Sequence, residues 1–357
     1  MKKLFQNVLV LIASLLLTFT MLELVVRIVK GDFTFKGFKE YKVILSEVKK
    51  NCPAQYDPYL GWIPREGYSI SKDKWGARIT VLKNGIRSNG SETIQEATAP
   101  AAILAVGDSF TFGGQVSDSD TWPAFLEKMS GKKVVNGGVN SYGLDQIFLR
   151  ANELIKKYKP DILILSCYVG DIDRCHFSKR HHEKPYFEII NNGLVLKNNP
   201  VPVLPRKRTG IDPVSNIFTK SVLIKQVIKS AFPDYWRLCT GEFIEAGPRS
   251  GGEQIAYLLF RHLREIIQAN TVRHIFVLLQ YNRQMSRKNR AMVKRVISGI
   301  HDRSIKVVDL WEPFQQVMQH DRKRWDSFFN GHMTPEGNRF VARELQKALN
   351  EACGATC

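Results

Sequence analysis

Two patterns of apolar positions divide the chain. From Leu4 to Leu22 apolar residues run on, interrupted only by Gln6, Asn7 and a few hydroxyls, and Leu24 to Val29 extends the run past Glu23. A helix of that length spans a bilayer. Further along, short apolar runs alternate with segments of helical spacing. Ala101 to Val106 reads as a buried strand, Trp122 to Met129 as a helix and Lys133 to Asn136 as a second strand. Leu144, Ile147, Phe148, Leu154, Ile155 and Tyr158 recur at helical spacing, and Pro160 stops that helix before a third strand over 161–166. A helix over 253–269, a strand from His274 to Leu279, a helix over about 285–299, a strand from Ile305 to Leu310 and a terminal helix complete the series. Strands alternating with helices imply a parallel sheet with helices on both faces.

Two regions fall outside this rhythm. Residues 31–98 form an extension of short elements and a linker: Arg78-Ile79-Thr80-Val81 predicts a strand leading to an Asn84-Gly85 turn, and Ser91 to Pro100 is polar. Residues 174–250 interrupt the alternation with a hairpin signal at Asn191-Asn192-Gly193 and the basic run Arg206-Lys207-Arg208. This insertion is read either as a cover or membrane-facing surface at the active-site edge of the sheet, or as a solvated basic loop. His176, His181 and His182, within it, are expected to be solvated rather than to bind metal. The domains expected are an anchor over 1–30, the extension over 31–98, an α/β domain over 99–350 carrying the insertion, and a tail over 351–357.

Composition narrows the setting. The 357 residues, 44% of them hydrophobic, suffice for a large core and exclude a disordered chain. A formal charge of +18 points to an anionic phospholipid surface, an acidic glycan or nucleic acid. The apolar N-terminus, with Lys2 and Lys3 before it and no small-residue cleavage site around Thr18 to Glu23, argues for an uncleaved anchor and against nucleic acid. Arg27 and Lys30 flank its other end, yet the very short tail favours the body lying outside the cytoplasm, on the periplasmic side. The six cysteines show no zinc spacing; Cys353 and Cys357 are near enough to pair, and Cys167 is expected to be a buried thiol.

Candidate chemistry sits at the ends of the α/β region. Gly107-Asp108-Ser109 follows the first strand directly and precedes Phe110-Thr111-Phe112-Gly113, so a serine hydroxyl lies where a buried strand turns into a helix. Near the other end Gly331-His332 precedes Thr334, a plausible N-cap, and Pro335, suited to the first helical position. A serine after an early strand and a histidine before the last helix are the elements of a nucleophile and base pair. Thr111 and Gly113 exclude the Gly-x-Ser-x-Gly elbow.

With the blocks Val135-Asn136-Gly137-Gly138-Val139-Asn140 and Tyr168-Val169-Gly170-Asp171-Ile172 between them, these motifs resemble the SGNH (GDSL-type) hydrolase family over roughly residues 55–350, as a membrane-anchored bacterial-type member. The resemblance implies a three-layer α/β/α sandwich with a parallel, flavodoxin-like sheet behind the N-terminal transmembrane helix. It implies Ser109 as nucleophile, His332 as base, and the backbone N–H groups of Ser109 and Gly138 as the oxyanion hole, with no metal or cofactor. Two positions depart from the family. Gly170 stands where an asparagine amide usually completes the oxyanion hole, with Asn140 or a backbone group as substitutes. Phe329 stands where the aspartate that orients the histidine is expected. Asp326 is the nearest upstream carboxylate and reaches His332 if Ser327 to Gly331 loops back; Asn330 or a backbone carbonyl are the alternatives, leaving a Ser–His dyad.

The activity implied is that of a membrane-anchored, extracytoplasmic serine esterase or O-acyl(acetyl)transferase. It would act on acyl esters of a cell-surface glycan through an acyl-serine intermediate. A lipid esterase at the membrane surface and a catalytically degenerate domain that binds an envelope glycan are the alternatives. Nothing in the sequence names a protein partner.

Overall fold

The computed structural model describes residues 2–33, 53–90 except 74, 102–202 except 181, 220–231, 243–245, 251–267 and 272–353. The chain divides into two compact units, Met1–Cys52 with Leu204–Ile244, and Pro53–Val203 with Glu245–Cys357.

The larger unit is built on a five-stranded parallel sheet. Its strands are Ile103–Val106 (β1), Val134–Asn136 (β2), Ile162–Tyr168 (β3), His274–Gln280 (β4) and Ile305–Asp309 (β5), each within two residues of the expected bounds. They lie side by side in the order 2-1-3-4-5. This is the flavodoxin-like order, in which the strand order reverses between β1 and β3 and opens a crevice at their carboxyl ends. All four residues of β1 are fully buried, as continuous apolar runs are when a parallel sheet is covered on both faces. The flanking helices include Trp122–Ser130 (α1), Leu144–Tyr158 (α2), Gly251–Arg261 (α3), Arg287–Ile297 (α4), Trp311–His320 (α5) and Pro335–Cys353 (α6). Helix α5 has no counterpart in the sequence reading; Pro313 and the short step from β5 hid its spacing. Its Phe314 gathers Trp325, Phe328, Phe329 and Phe340 into an aromatic cluster with ring centroids 4.9–6.3 Å apart. Each such contact contributes about 0.5–1.5 kcal/mol beyond area burial.

The extension expected to precede the core is part of it. Residues 53–90 form two small antiparallel pairs, Ala54–Asp57 with Gly61–Pro64 and Ser69–Ile70 with Ile79–Thr80. Trp62, Val81, Leu82 and Ile86 are buried. Arg87 continues the sheet past β2, its N–H donating to Asn136 O at 2.9 Å. Its guanidinium, fully buried, is held by Asp118 at 2.8 Å and by Val116 O at 2.8 Å. Asn84 adopts φ 61° in the predicted turn. The expected linker lies outside the described residues.

The expected insertion divides between the units. In the larger one, Tyr186–Ile190 pairs with Gly193–Lys197 as predicted, with Asn191 and Asn192 both at positive φ as a type I′ turn requires. His176 corrects the solvated expectation: it is buried, its ring tilted against that of Phe177 with centroids 4.2 Å apart. His182 packs near Trp62, at 6.2 Å, and His181 and Arg206 to Arg208 lie outside the described residues. In the smaller unit, the helix Lys2–Lys30 contains a span, Lys3–Lys30, long and apolar enough to cross a membrane, with a mean hydropathy of 2.5 over its most apolar stretch. Near its end the Glu23 carboxylate accepts from Ser221 Oγ and from the N–H groups of Val222 and Leu223, 2.6–2.8 Å away, capping the helix Val222–Ala231.

Cys167 and Cys175 are buried free thiols, and burial pushes both well above the usual range, away from the reactive thiolate. Cys52, Cys239 and Cys357 lie outside the described residues.

Candidate active site

Ser109 opens a one-turn helix, Ser109–Phe112, directly after β1 at the reversal point of the sheet. Asp108 caps that turn: its Oδ1 accepts from Phe110 N at 2.8 Å, and its Oδ2 lies 3.4 Å from Ser109 Oγ. The Ser109 N–H makes no hydrogen bond among the described residues.

His332 reaches Ser109 from the opposite end of the chain. Its Nε2 lies 3.0 Å from Ser109 Oγ. The hairpin Phe329–Asn330 with His332–Met333 presents it, with Gly331 at φ 82° forming the reversal. The His332 N–H donates to Gln115 Oε1 at 3.0 Å, which ties the hairpin to the serine loop. Behind the hairpin, Thr334 Oγ1 accepts from Gly337 N at 3.4 Å and Pro335 starts α6, as expected. The imidazole packs against Phe110, which stacks on Tyr168. Burial lowers the His332 pKa from its ordinary 6.5; Asp108 pulls it up and Arg174 pushes it down.

The acid expected at His332 is not there. Both Asp326 oxygens are taken by arginines, Arg283 at 2.8 Å and Arg322 at 3.4 Å, on an exposed face. Phe329, at the expected aspartate position, is buried in the aromatic cluster and anchors the hairpin instead. His332 Nδ1 is buried and has no hydrogen-bond partner among the described residues. Among the described residues the arrangement is a Ser–His pair.

Gly138 is also corrected. Its N–H is taken by Asn136 Oδ1 at 3.1 Å. The space a Cβ would need is filled by protein: Phe112 N would lie 2.4 Å from it and Thr111 C 2.7 Å. Glycine at 138 therefore lets the serine turn pack against the second block, rather than admitting substrate. Asn136 staples the two together, its Nδ2 donating to Thr111 O at 3.0 Å. Asn140, a possible substitute donor, has a buried, unpartnered Oδ1 beside Gly114.

The sequence reading missed Arg174. One nitrogen, Nη1, donates to Asp171 Oδ1 at 2.7 Å, to Tyr142 O at 2.8 Å and to Asp108 Oδ2 at 3.3 Å. Burial works against its charge, but Asp171 and Asp108 outweigh it and raise its pKa. Burial, with the neighbouring Asp108, pushes Asp171 up against the pull of Arg174. The only sequence signal was the spacing of Asp171 and Arg174, three apart, which places them on one side of a helical turn.

Behind this lies a buried ion pair, Lys184 with Asp145, both fully enclosed. Lys184 Nζ also donates to Phe177 O at 3.1 Å and to Arg174 O at 3.3 Å, so it fixes the backbone that carries Arg174. No group of acidic, histidine or cysteine side chains suited to a metal occurs among the described residues.

A family model described as GDSL-like lipase/acylhydrolase matches residues 103–345. No curated protein matches the chain. Among solved structures, a putative lipolytic protein of the G-D-S-L family from Desulfitobacterium hafniense is 15% identical, with a TM-score of 0.38 over 71% of this chain and 99% of that one. A GDSL-like lipase from Bacteroides thetaiotaomicron is 12% identical, with a TM-score of 0.37 over 74% and 94%. An acetyl xylan esterase from Butyrivibrio proteoclasticus is 13% identical, with a TM-score of 0.36 over 71% and 64%.

Proposed function

The chain belongs to the GDSL-like lipase/acylhydrolase family and is an ester-bond hydrolase, and from that premise we propose that Ser109 and His332 carry out its chemistry as a nucleophile–base dyad. The observation that carries this is the 3.0 Å approach of Ser109 Oγ to His332 Nε2. A serine hydroxyl is a poor nucleophile at neutral pH, and a neutral imidazole within hydrogen-bond reach removes its proton as it attacks.

Ser109 Oγ bonds to the acyl carbon, its proton passes to His332 Nε2, and the carbonyl electron pair moves onto oxygen. Collapse of that intermediate breaks the ester C–O bond, and the leaving alcohol takes the proton from Nε2. Water then attacks the acyl-serine, giving its proton to Nε2, and the acid departs as Ser109 is reprotonated. A sugar hydroxyl in place of water would make the same site a transferase.

The substrate we propose is an O-acyl, chiefly O-acetyl, ester of a cell-surface glycan, reached by a body held outside the cytoplasm. The apolar helix Lys3–Lys30 supports tethering, and the +18 charge supports an anionic partner. Turnover of acetyl and of long-chain acyl esters by the full-length chain in detergent is the test. Preference for acetyl esters, together with an external C-terminal reporter fusion, is expected. Preference for long chains would favour the lipid reading, and a cytoplasmic reporter would remove the external body.

The base also sets a pH dependence. His332 must be neutral to accept the proton, and its pKa lies below 6.5, so kcat/KM falls only as pH drops through that lowered value. The acid-side midpoint is expected below 6.5; a midpoint at or above 6.5 contradicts the buried base.

A further inference from the structure

Attack at Ser109 leaves a negative charge on the former carbonyl oxygen, and the donors expected to receive it are incomplete. The Ser109 N–H has no partner among the described residues, but the Gly138 N–H is committed to Asn136 and residue 170 has no side chain. The place beside Gly170 is nevertheless filled. Where its Cβ would stand, the Tyr168 ring lies 2.7 Å away and Arg174 Nη2 3.5 Å away.

Arg174 is well prepared to receive charge. All three of its hydrogen bonds leave from Nη1, while Nη2 and Nε donate to nothing among the described residues. A single carboxylate oxygen, Asp108 Oδ2, separates the guanidinium from the nucleophile, 3.3 Å from Arg174 Nη1 and 3.4 Å from Ser109 Oγ. The side chain is only 13% exposed, so its charge acts with little solvent screening. Asp108, Asp171 and Tyr142 O clamp it on one side, so no reorganisation is needed as the oxyanion forms.

We infer that Arg174 is a catalytic residue of this site, its Nη2 standing where the absent side chain at Gly170 would have supplied a donor to the oxyanion. The inference rests on the Ser109–His332 esterase reading. A planar guanidinium suits the task because one nitrogen can be held by protein while the other faces substrate.

The test uses the full-length protein in detergent, with 4-nitrophenyl acetate as substrate and phenylboronic acid as a probe that forms an anionic tetrahedral adduct on an active serine. Arg174→Lys keeps the positive charge beside Asp108 and Asp171 but loses the second nitrogen. Its kcat is expected to fall about 10²–10³-fold, with KM within about threefold, boronate affinity falling in step with kcat and the acid-side midpoint unchanged. A kcat within about threefold of the parent, or a lost kcat with boronate affinity intact, overturns the assignment; the latter would mark Arg174 as a positioning residue. A structure of the unaltered protein with boronate bound gives a test independent of folding. Nη2 within about 3.2 Å of a boronate oxygen is expected, and a separation beyond about 4 Å overturns it. If the unaltered protein neither turns over the ester nor takes boronate on Ser109, the esterase reading itself fails and carries this inference with it.

Discussion

Replacing Ser109 by alanine is expected to abolish ester hydrolysis, a loss of at least about 10⁴-fold in kcat, while the thermal midpoint stays within a few degrees of the parent. The hydroxyl's contacts are with Asp108 Oδ2 and His332 Nε2, and the turn is capped by Asp108 without it. Removing one oxygen therefore takes away the nucleophile and leaves the fold. His332→Ala is expected to cost a similar factor, because the serine then has no base. The double variant should be no slower than either single one, since the two groups act as a unit. Losses that multiply would show that His332 contributes separately from Ser109. Initial-rate measurements on the three purified proteins decide this.

The largest expected effect on stability is at Lys184. Lys184→Met leaves the Asp145 carboxylate fully buried without its cation, and leaves Phe177 O and Arg174 O without their donor. Breaking a buried pair from one side costs about 3–5 kcal/mol, far more than the pair contributes intact. Burial already raises the Asp145 pKa despite the pull of Lys184, so loss of the lysine pushes it up further. Lys184→Met with Asp145→Leu is expected to recover at least half of the loss, because no buried charge is then stranded. Denaturant unfolding of the two variants provides the comparison, and equal destabilisation would show that packing, rather than charge, holds this region.

Much of the scaffold was legible because it rests on local pattern. The five strands are short apolar runs between helical periods, whereas their 2-1-3-4-5 order is not in that pattern and was implied only by the family resemblance. Ser109 and His332 were legible because each stands at an element boundary with its own punctuation, a glycine before the strand-end serine and Thr-Pro after the histidine. What was not legible depends on contacts distant in sequence. Asp326 was the nearest carboxylate by number, yet Arg283, from the loop after β4, takes it. Gly138 was expected as an oxyanion donor because sequence cannot show its N–H held by Asn136, nor the Thr111–Phe112 backbone lying where its side chain would be. The extension over 53–90 lacks long periodic elements, so its burial through Trp62, Val81 and Arg87 left no pattern to read. Arg174 was hidden for the same reason, since two of its three partners, Asp108 and Tyr142, come from separate loops.

On the proposed reading Ser109 is made reactive by His332, behind which no acid stands among the described residues. Treating the folded full-length protein with a fluorophosphonate and locating the adduct by peptide mass spectrometry tests this most directly. The predicted result is a single covalent adduct on Ser109 that forms at neutral pH and is lost in His332→Ala. Folded protein that remains unlabelled at Ser109, or labels equally well without His332, would contradict it.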